Sequence, residues 1–91
     1  MAGFHLSKPY TMPRDELRAA AERLASRLEQ QHGIKAQWQG DRVRMHGHGV
    51  EGELSFDGGV VDVSVKLGLL ASAFQRPLKA EVQRYLDEMI S

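Results

Sequence analysis

Residues 34–67 alternate apolar and polar side chains, and three glycine-containing pairs interrupt the alternation. Such pairs favour tight turns between antiparallel strands. With turns at Gly40-Asp41, His48-Gly49 and Gly58-Gly59, the apolar residues and glycines of four strands fall on one face. A slip of one residue would scatter them, because side chains alternate along a strand. The pattern therefore predicts a four-stranded antiparallel meander with one buried face.

The same register predicts which residues lie opposite one another. Val43 should face Leu54 on the apolar side, and Arg44 should face Glu53 on the polar side. Opposite charges across neighbouring strands stabilise a sheet modestly. The other predicted pairs on the polar face are His46 with Glu51 and Glu51 with Lys66.

The residues before the meander predict a strand and a helix. Residues 3–8 alternate as a short strand does, and Pro9 ends that strand. A helix is predicted to begin with Thr11 or Met12 as its cap and Pro13 in its first turn, and to stop at Gly33. Its apolar stripe consists of Leu17, Ala20, Ala21, Leu24, Ala25 and Leu28, and its surface is predicted to carry an Arg18–Glu22 pair.

A closing helix is predicted from about Arg76, with Pro77 in its first turn. Its apolar stripe consists of Leu78, Val82, Tyr85, Leu86, Met89 and Ile90, and its surface pairs are Glu81–Arg84 and Arg84–Glu88. Among all predicted core residues, we expect Leu24, Trp38, Leu54, Val63 and Leu86 to be well buried.

These elements predict a single two-layer α+β domain over residues 1–91, with the order β-α-β-β-β-β-α. The last meander strand runs antiparallel to the first strand of the chain, so these two strands are expected to pair. Both helices should pack on the apolar face of the sheet. This order resembles a shortened helix-grip fold, in which a sheet curls around a C-terminal helix.

Composition excludes several classes of function. The formal net charge is zero, which argues against a general nucleic-acid binder, since phosphate binding needs an excess of Lys and Arg. The chain has no cysteine, so disulfides and thiol catalysis are excluded. No apolar run reaches transmembrane length and no signal peptide is recognisable, so we expect a cytoplasmic protein without a transmembrane segment.

The polar residues indicate no enzyme, cofactor or metal centre. His46 and His48 flank a glycine near Glu51, a set that binds zinc or copper in some proteins, but a third strong ligand is missing. No serine lies in a nucleophile elbow, and the glycines serve turns instead of a phosphate loop. The remaining histidines, His5 and His32, are predicted to be exposed.

Residues 67–74 are the most apolar short segment of the chain and the candidate interaction surface. Leu67, Leu69, Leu70 and Phe74 are too closely spaced to face one core, so at least one should reach solvent or a subunit interface. A buried connection between sheet and helix is the alternative. The flanking basic residues are Lys66, Arg76 and Lys79.

The segment VSVKLGLL at residues 63–70, the WQGD at 38–41 and the closing helix from Leu78 to Asp87 resemble the polyhydroxyalkanoic acid system family. The resemblance covers nearly the whole chain. It implies a small bacterial cytoplasmic protein associated with polyhydroxyalkanoate storage, with the granule surface as one location. The family's motifs are structural, so the resemblance implies no catalytic or ligand residue.

Three hypotheses follow. The first is a non-enzymatic accessory protein of polyhydroxyalkanoate metabolism, whose apolar surface contacts a second copy in a homodimer, a granule or a granule-associated protein. The second is a small-molecule binder with an apolar pocket between sheet and C-terminal helix, lined by Trp38, Met45, Phe56 and Tyr85. The third is a metal-dependent enzyme that uses His46 and His48.

Overall fold

The computed structural model describes residues 2–90, and its elements follow the predicted order. The strands are β1 (Ala2–Pro9), β2 (Lys35–Gln39), β3 (Arg42–Gly47), β4 (Val50–Ser55) and β5 (Val60–Leu67), and the helices are α1 (Arg14–His32) and α2 (Gln75–Met89). Two short 3₁₀ segments, Asp57–Gly59 and Leu69–Phe74, flank β5. The predicted α+β class and the order β-α-β-β-β-β-α are confirmed.

All five strands form one antiparallel sheet in the order β1-β5-β4-β3-β2. The predicted register is confirmed, since Val43 pairs with Leu54 and Arg44 pairs with Glu53. The remaining predicted pairs, His46 with Glu51 and Glu51 with Lys66, are also present. Strand β1 pairs with β5, as expected, so β1 and β2 are the two edges of the sheet.

Helix α1 differs from the prediction at its start. Thr11 and Met12 do not cap it; the extended Pro13 is the N-cap residue, and its carbonyl accepts the first helical hydrogen bond from Leu17 at 3.0 Å. At the other end, Gly33 stops the helix as predicted. Its φ of 68° is left-handed, a conformation that glycine adopts without strain, and its N–H donates to the carbonyl of Glu29.

Two arginines of α1 anchor the helix on the β2–β3 turn. Arg14 pairs with Asp41, and Arg18 donates from Nη1 to the Gly40 carbonyl oxygen at 3.1 Å. The Arg18 guanidinium also lies 4.2 Å from the centre of the Trp38 ring. Arg18 is therefore used in tertiary packing, and the predicted surface pair with Glu22 was wrong.

The core lies between the apolar sheet face and the two helices. The expected core residues Leu24, Leu54, Val63 and Leu86 are each at most 2 % exposed. Trp38 is only half-buried, because β2 is an edge strand of the sheet. The prediction was also wrong for Met89, which is 37 % exposed at the last residue of α2.

Candidate hydrophobic interaction surface

Three large apolar side chains lie in solvent in the 3₁₀ segment between β5 and α2. Leu70 is 99 % exposed, Leu69 is 83 % exposed and Phe74 is 53 % exposed. We call these three residues the apolar tip. Their exposure in the isolated chain confirms that the closely spaced apolar residues do not all face the core.

Leu67 does not belong to this surface. It is the last residue of β5 and is only 1 % exposed. It pairs with both Ala2 and Val50, so neighbouring strands flank it on each side and its side chain points to the helices. The predicted surface is therefore corrected to the apolar tip without Leu67.

Contacts with a neighbouring turn hold the apolar tip in place. The N–H of Gly68 donates to the carbonyl of Gly49 at 2.8 Å, which ties the segment to the β3–β4 turn. Ala71 is buried beside Gly49, where an added Cβ would come within 3.3 Å of the alanine methyl group. The Ser72 hydroxyl donates to the carbonyl of Leu69 at 2.9 Å. Since Ala71 is the residue that faces the protein, Leu69 and Leu70 point to solvent.

His32 supports the apolar tip from the end of α1. Its ring meets the Phe74 ring edge to face, with centres 6.2 Å apart. Its Nε2 lies 2.9 Å from Oε2 of Glu81 in α2. The prediction of an exposed His32 was wrong, because Phe74 and Glu81 leave it half-buried. Glu81 is also used in this contact, where the sequence predicted a pair with Arg84.

The apolar surface continues along α2 beyond the residues predicted from sequence. Ala73, Pro77 and Ala80 are exposed and follow Leu70 at successive spacings of three, four and three residues. That spacing places side chains on one face of a helix. The spacing was visible in the sequence, but alanine and proline do not distinguish an outer helix face from an inner one.

The polar face of the sheet carries His46. His46 is exposed opposite Glu51, whereas His48 lies in the β3–β4 turn with its ring against Gly33. The two imidazoles therefore lie in different surroundings. Within residues 2–90 there is no group of three or more side chains arranged to hold a metal ion.

A broad depression of about 550 Å³ lies on this face, and its walls carry both charges. Asp62 accepts a hydrogen bond from Ser7 at 2.7 Å and contacts His5 at 3.2 Å. Glu53 lies within 4 Å of two arginine side chains, Arg42 and Arg44. These carboxylates are therefore engaged with neighbouring side chains.

The residues predicted to line a ligand pocket lie in the packed core. Met45, Phe56 and Tyr85 are each at most 6 % exposed. Trp38 lies at the edge of the sheet, where its ring stacks on the Arg18 guanidinium. The internal voids lined by Met45 and by Phe56 with Tyr85 hold about 10 Å³ each. A drug-sized ligand needs about 300 Å³ or more, so these side chains fill the predicted pocket themselves.

Among residues 2–90, no helix combines the length and the apolar character that crossing a bilayer requires.

No curated protein and no solved structure matches the chain significantly. Residues 4–90 match a family model described as "Putative polyhydroxyalkanoic acid system protein". The match spans both helices and nearly all of the sheet. The chain therefore belongs to the polyhydroxyalkanoic acid system protein family.

Proposed function

We propose that this protein is a non-enzymatic accessory protein of polyhydroxyalkanoate metabolism that attaches to the storage granule through the apolar tip. The observation that carries the proposal is the exposure of Leu70, at 99 %, beside two further exposed apolar side chains. The family supplies the polyhydroxyalkanoate context, and the tip supplies a means of contact.

An apolar polymer surface is a suitable partner for the apolar tip on energetic grounds. Removing a leucine or phenylalanine side chain from water stabilises a complex by roughly 1.5–3 kcal/mol. Leu69, Leu70 and Phe74 each offer part of this energy without rearrangement, because the contacts with Gly49 already hold the segment outward. A polyester surface needs no matching pattern of hydrogen-bond donors, and the tip presents side chains that have none.

The size of the tip favours this partner over a second copy of the chain. Three exposed side chains of this kind present on the order of 400 Å². A stable protein interface buries about 800 Å² on each partner. The tip supplies only half of that area. On an extended apolar surface, by contrast, each side chain that leaves water adds its own binding energy, and no minimum area is needed.

The polar residues support a role without catalysis. Asp62 and Glu53, the half-buried carboxylates of the sheet face, are each held by two neighbouring side chains. A general acid or base needs a free position toward a substrate and a pKa suited to proton transfer. Glu53 forms ion pairs with Arg42 and Arg44, and Asp62 accepts a hydrogen bond from Ser7, so both carboxylates contribute to the sheet itself.

The double variant Leu70→Ser/Phe74→Ser tests the proposal. Both side chains are exposed, so the variant should fold, and its binding to isolated granules should fall at least about tenfold because most of the apolar contact is lost. Met89→Ser is the matched control, since Met89 is an exposed apolar residue at the opposite end of α2. Sedimentation of granules with bound protein measures the partition, and analytical ultracentrifugation of free protein measures the mass.

The results separate the hypotheses. Loss of granule binding in the double variant at unchanged mass supports an anchor. A wild-type dimer that becomes a monomer in the double variant assigns the tip to a homodimer interface instead. A folded double variant that keeps both its mass and its granule binding overturns the proposed function.

A further inference from the structure

We propose that the apolar tip and the first turns of α2 dock on a surface that carries anionic lipid head groups, which Arg76 and Lys79 contact while the tip enters the apolar layer. This inference rests on the proposed function and names the chemistry of the surface that is recognised. It requires an amphipathic segment with apolar and cationic groups side by side.

The apolar half of that segment extends further than the tip. Leu70, Ala73, Pro77 and Ala80 form an exposed stripe that runs from the 3₁₀ segment into α2. A continuous stripe of this kind allows the segment to lie in the plane of an interface with one face immersed.

The cationic half of the segment lies in the first turns of α2, directly after the tip. Arg76 and Lys79 are both exposed, and along the helix axis they follow Phe74 by about 3 and 8 Å. The ion pairs formed within residues 2–90 involve neither of them. Long basic side chains keep their charge at the polar boundary while their stems cover apolar surface, so both are free to meet head groups above an immersed tip.

The distribution of charge along the chain favours the same orientation. Between Asp62 and Glu81 the sequence contains three basic residues and no acidic one, although the whole chain has twelve of each sign. The rest of the chain therefore has an excess of acidic residues. An anionic surface attracts the segment that carries the tip and repels the remainder, which orients the protein before contact.

The proximity of Glu81 does not neutralise this segment. Its carboxylate lies 2.9 Å from His32 on the side of α2 that faces α1. A lipid layer accepts a small apolar insertion accompanied by a few cations, whereas a standard protein interface buries about 800 Å² on each partner.

Vesicle flotation tests the inference. Wild-type protein should bind vesicles of equal parts phosphatidylcholine and phosphatidylglycerol about tenfold or more tighter than vesicles of phosphatidylcholine alone, because each Lys or Arg near an anionic surface adds to binding. Arg76→Gln/Lys79→Gln should lose most of this preference. Arg42→Gln/Arg44→Gln is the matched control, since it removes the same charge from the polar sheet face.

Each outcome is decisive. A preference for anionic vesicles that the Arg76/Lys79 variant loses and the Arg42/Arg44 variant retains supports the inference. Equal binding to both kinds of vesicle, or no binding to either, overturns the inference. A preference for anionic vesicles that both variants reduce equally, or that neither variant reduces, also overturns it. In those cases tip-dependent binding to isolated granules would leave the proposed function standing, since that function requires only contact through the apolar tip.

Discussion

At the scale of the residue, Tyr85 shows how the core accommodates a polar group. Its hydroxyl donates to the carbonyl of Ala20 in α1 at 2.7 Å, which links the two helices. Burial raises the pKa of Tyr85 above the ordinary value of 10.0, and the nearby charges of Arg23 and Arg27 lower it in part. The neutral phenol is therefore the form that the folded protein favours.

Replacing this hydroxyl should alter the response to alkali. The contribution of Tyr85 is complete below the unfolded pKa of 10.0 and is lost as the pH rises through the higher folded pKa. Tyr85→Phe should lower the free energy of unfolding by about 1 kcal/mol at neutral pH. It should also lose less stability than wild type above pH 10.0. Urea titrations at neutral pH and above pH 10.0 measure these free energies of unfolding. An equal loss of stability above pH 10.0 in Tyr85→Phe and in wild type would contradict the prediction.

The two histidines of the β3–β4 hairpin give a second prediction at this scale. His46 lies opposite Glu51, whereas the His48 ring lies against Gly33 at the end of α1. A tight zinc site needs three or four ligands in fixed geometry. Calorimetric titration with zinc should therefore show no stoichiometric micromolar binding. A stoichiometric site that His46→Ala abolishes would restore the metal hypothesis.

At the scale of the element, prediction from sequence succeeded wherever a periodic pattern was long. The meander register followed from the glycine turns and from alternation, because any slip exposes every apolar residue of a strand. Prediction failed at ends and edges. Pro13 became the cap in place of Thr11 or Met12, and Trp38 stayed half-buried on an edge strand. The expected pairing of β1 with β5 already left β2 at an edge, where no second strand flanks Trp38, but the apolar pattern alone predicted a buried indole.

Leucines of different elements should respond very differently to truncation. Leu54 of β4 and Leu86 of α2 are at most 2 % exposed, so Leu54→Ala or Leu86→Ala should each cost about 2–5 kcal/mol. Leu70→Ala is the control, because this side chain contacts solvent and its loss should change stability by less than about 0.5 kcal/mol. Urea midpoints measure all three, and similar shifts for Leu54 and Leu70 would show that the faces are misassigned.

At the scale of the whole molecule, the candidate site depends on a contact that local sequence does not contain. The spacing of residues 67–74 indicated that some apolar side chain must leave the core, but it left open which one. Gly49, in the β3–β4 turn, decides which side chains face the core and which face solvent. Ala71 packs against Gly49, and the N–H of Gly68 donates to its carbonyl. The tip is thus a product of tertiary structure, and its polyhydroxyalkanoate context comes from family membership.

The pairing of β1 with β5 has a consequence for the kinetics of folding. The hairpins of β2 to β5 close short loops, whereas Ala2 reaches Leu67 only across most of the chain. Short loops close fast and long ones late, so β1 should dock after the folding barrier is crossed. Leu6→Ala in β1 should accordingly speed unfolding with little effect on the folding rate, whereas Val43→Ala in β3 should slow folding. Stopped-flow chevrons would contradict this order if Leu6→Ala slowed folding as much as Val43→Ala.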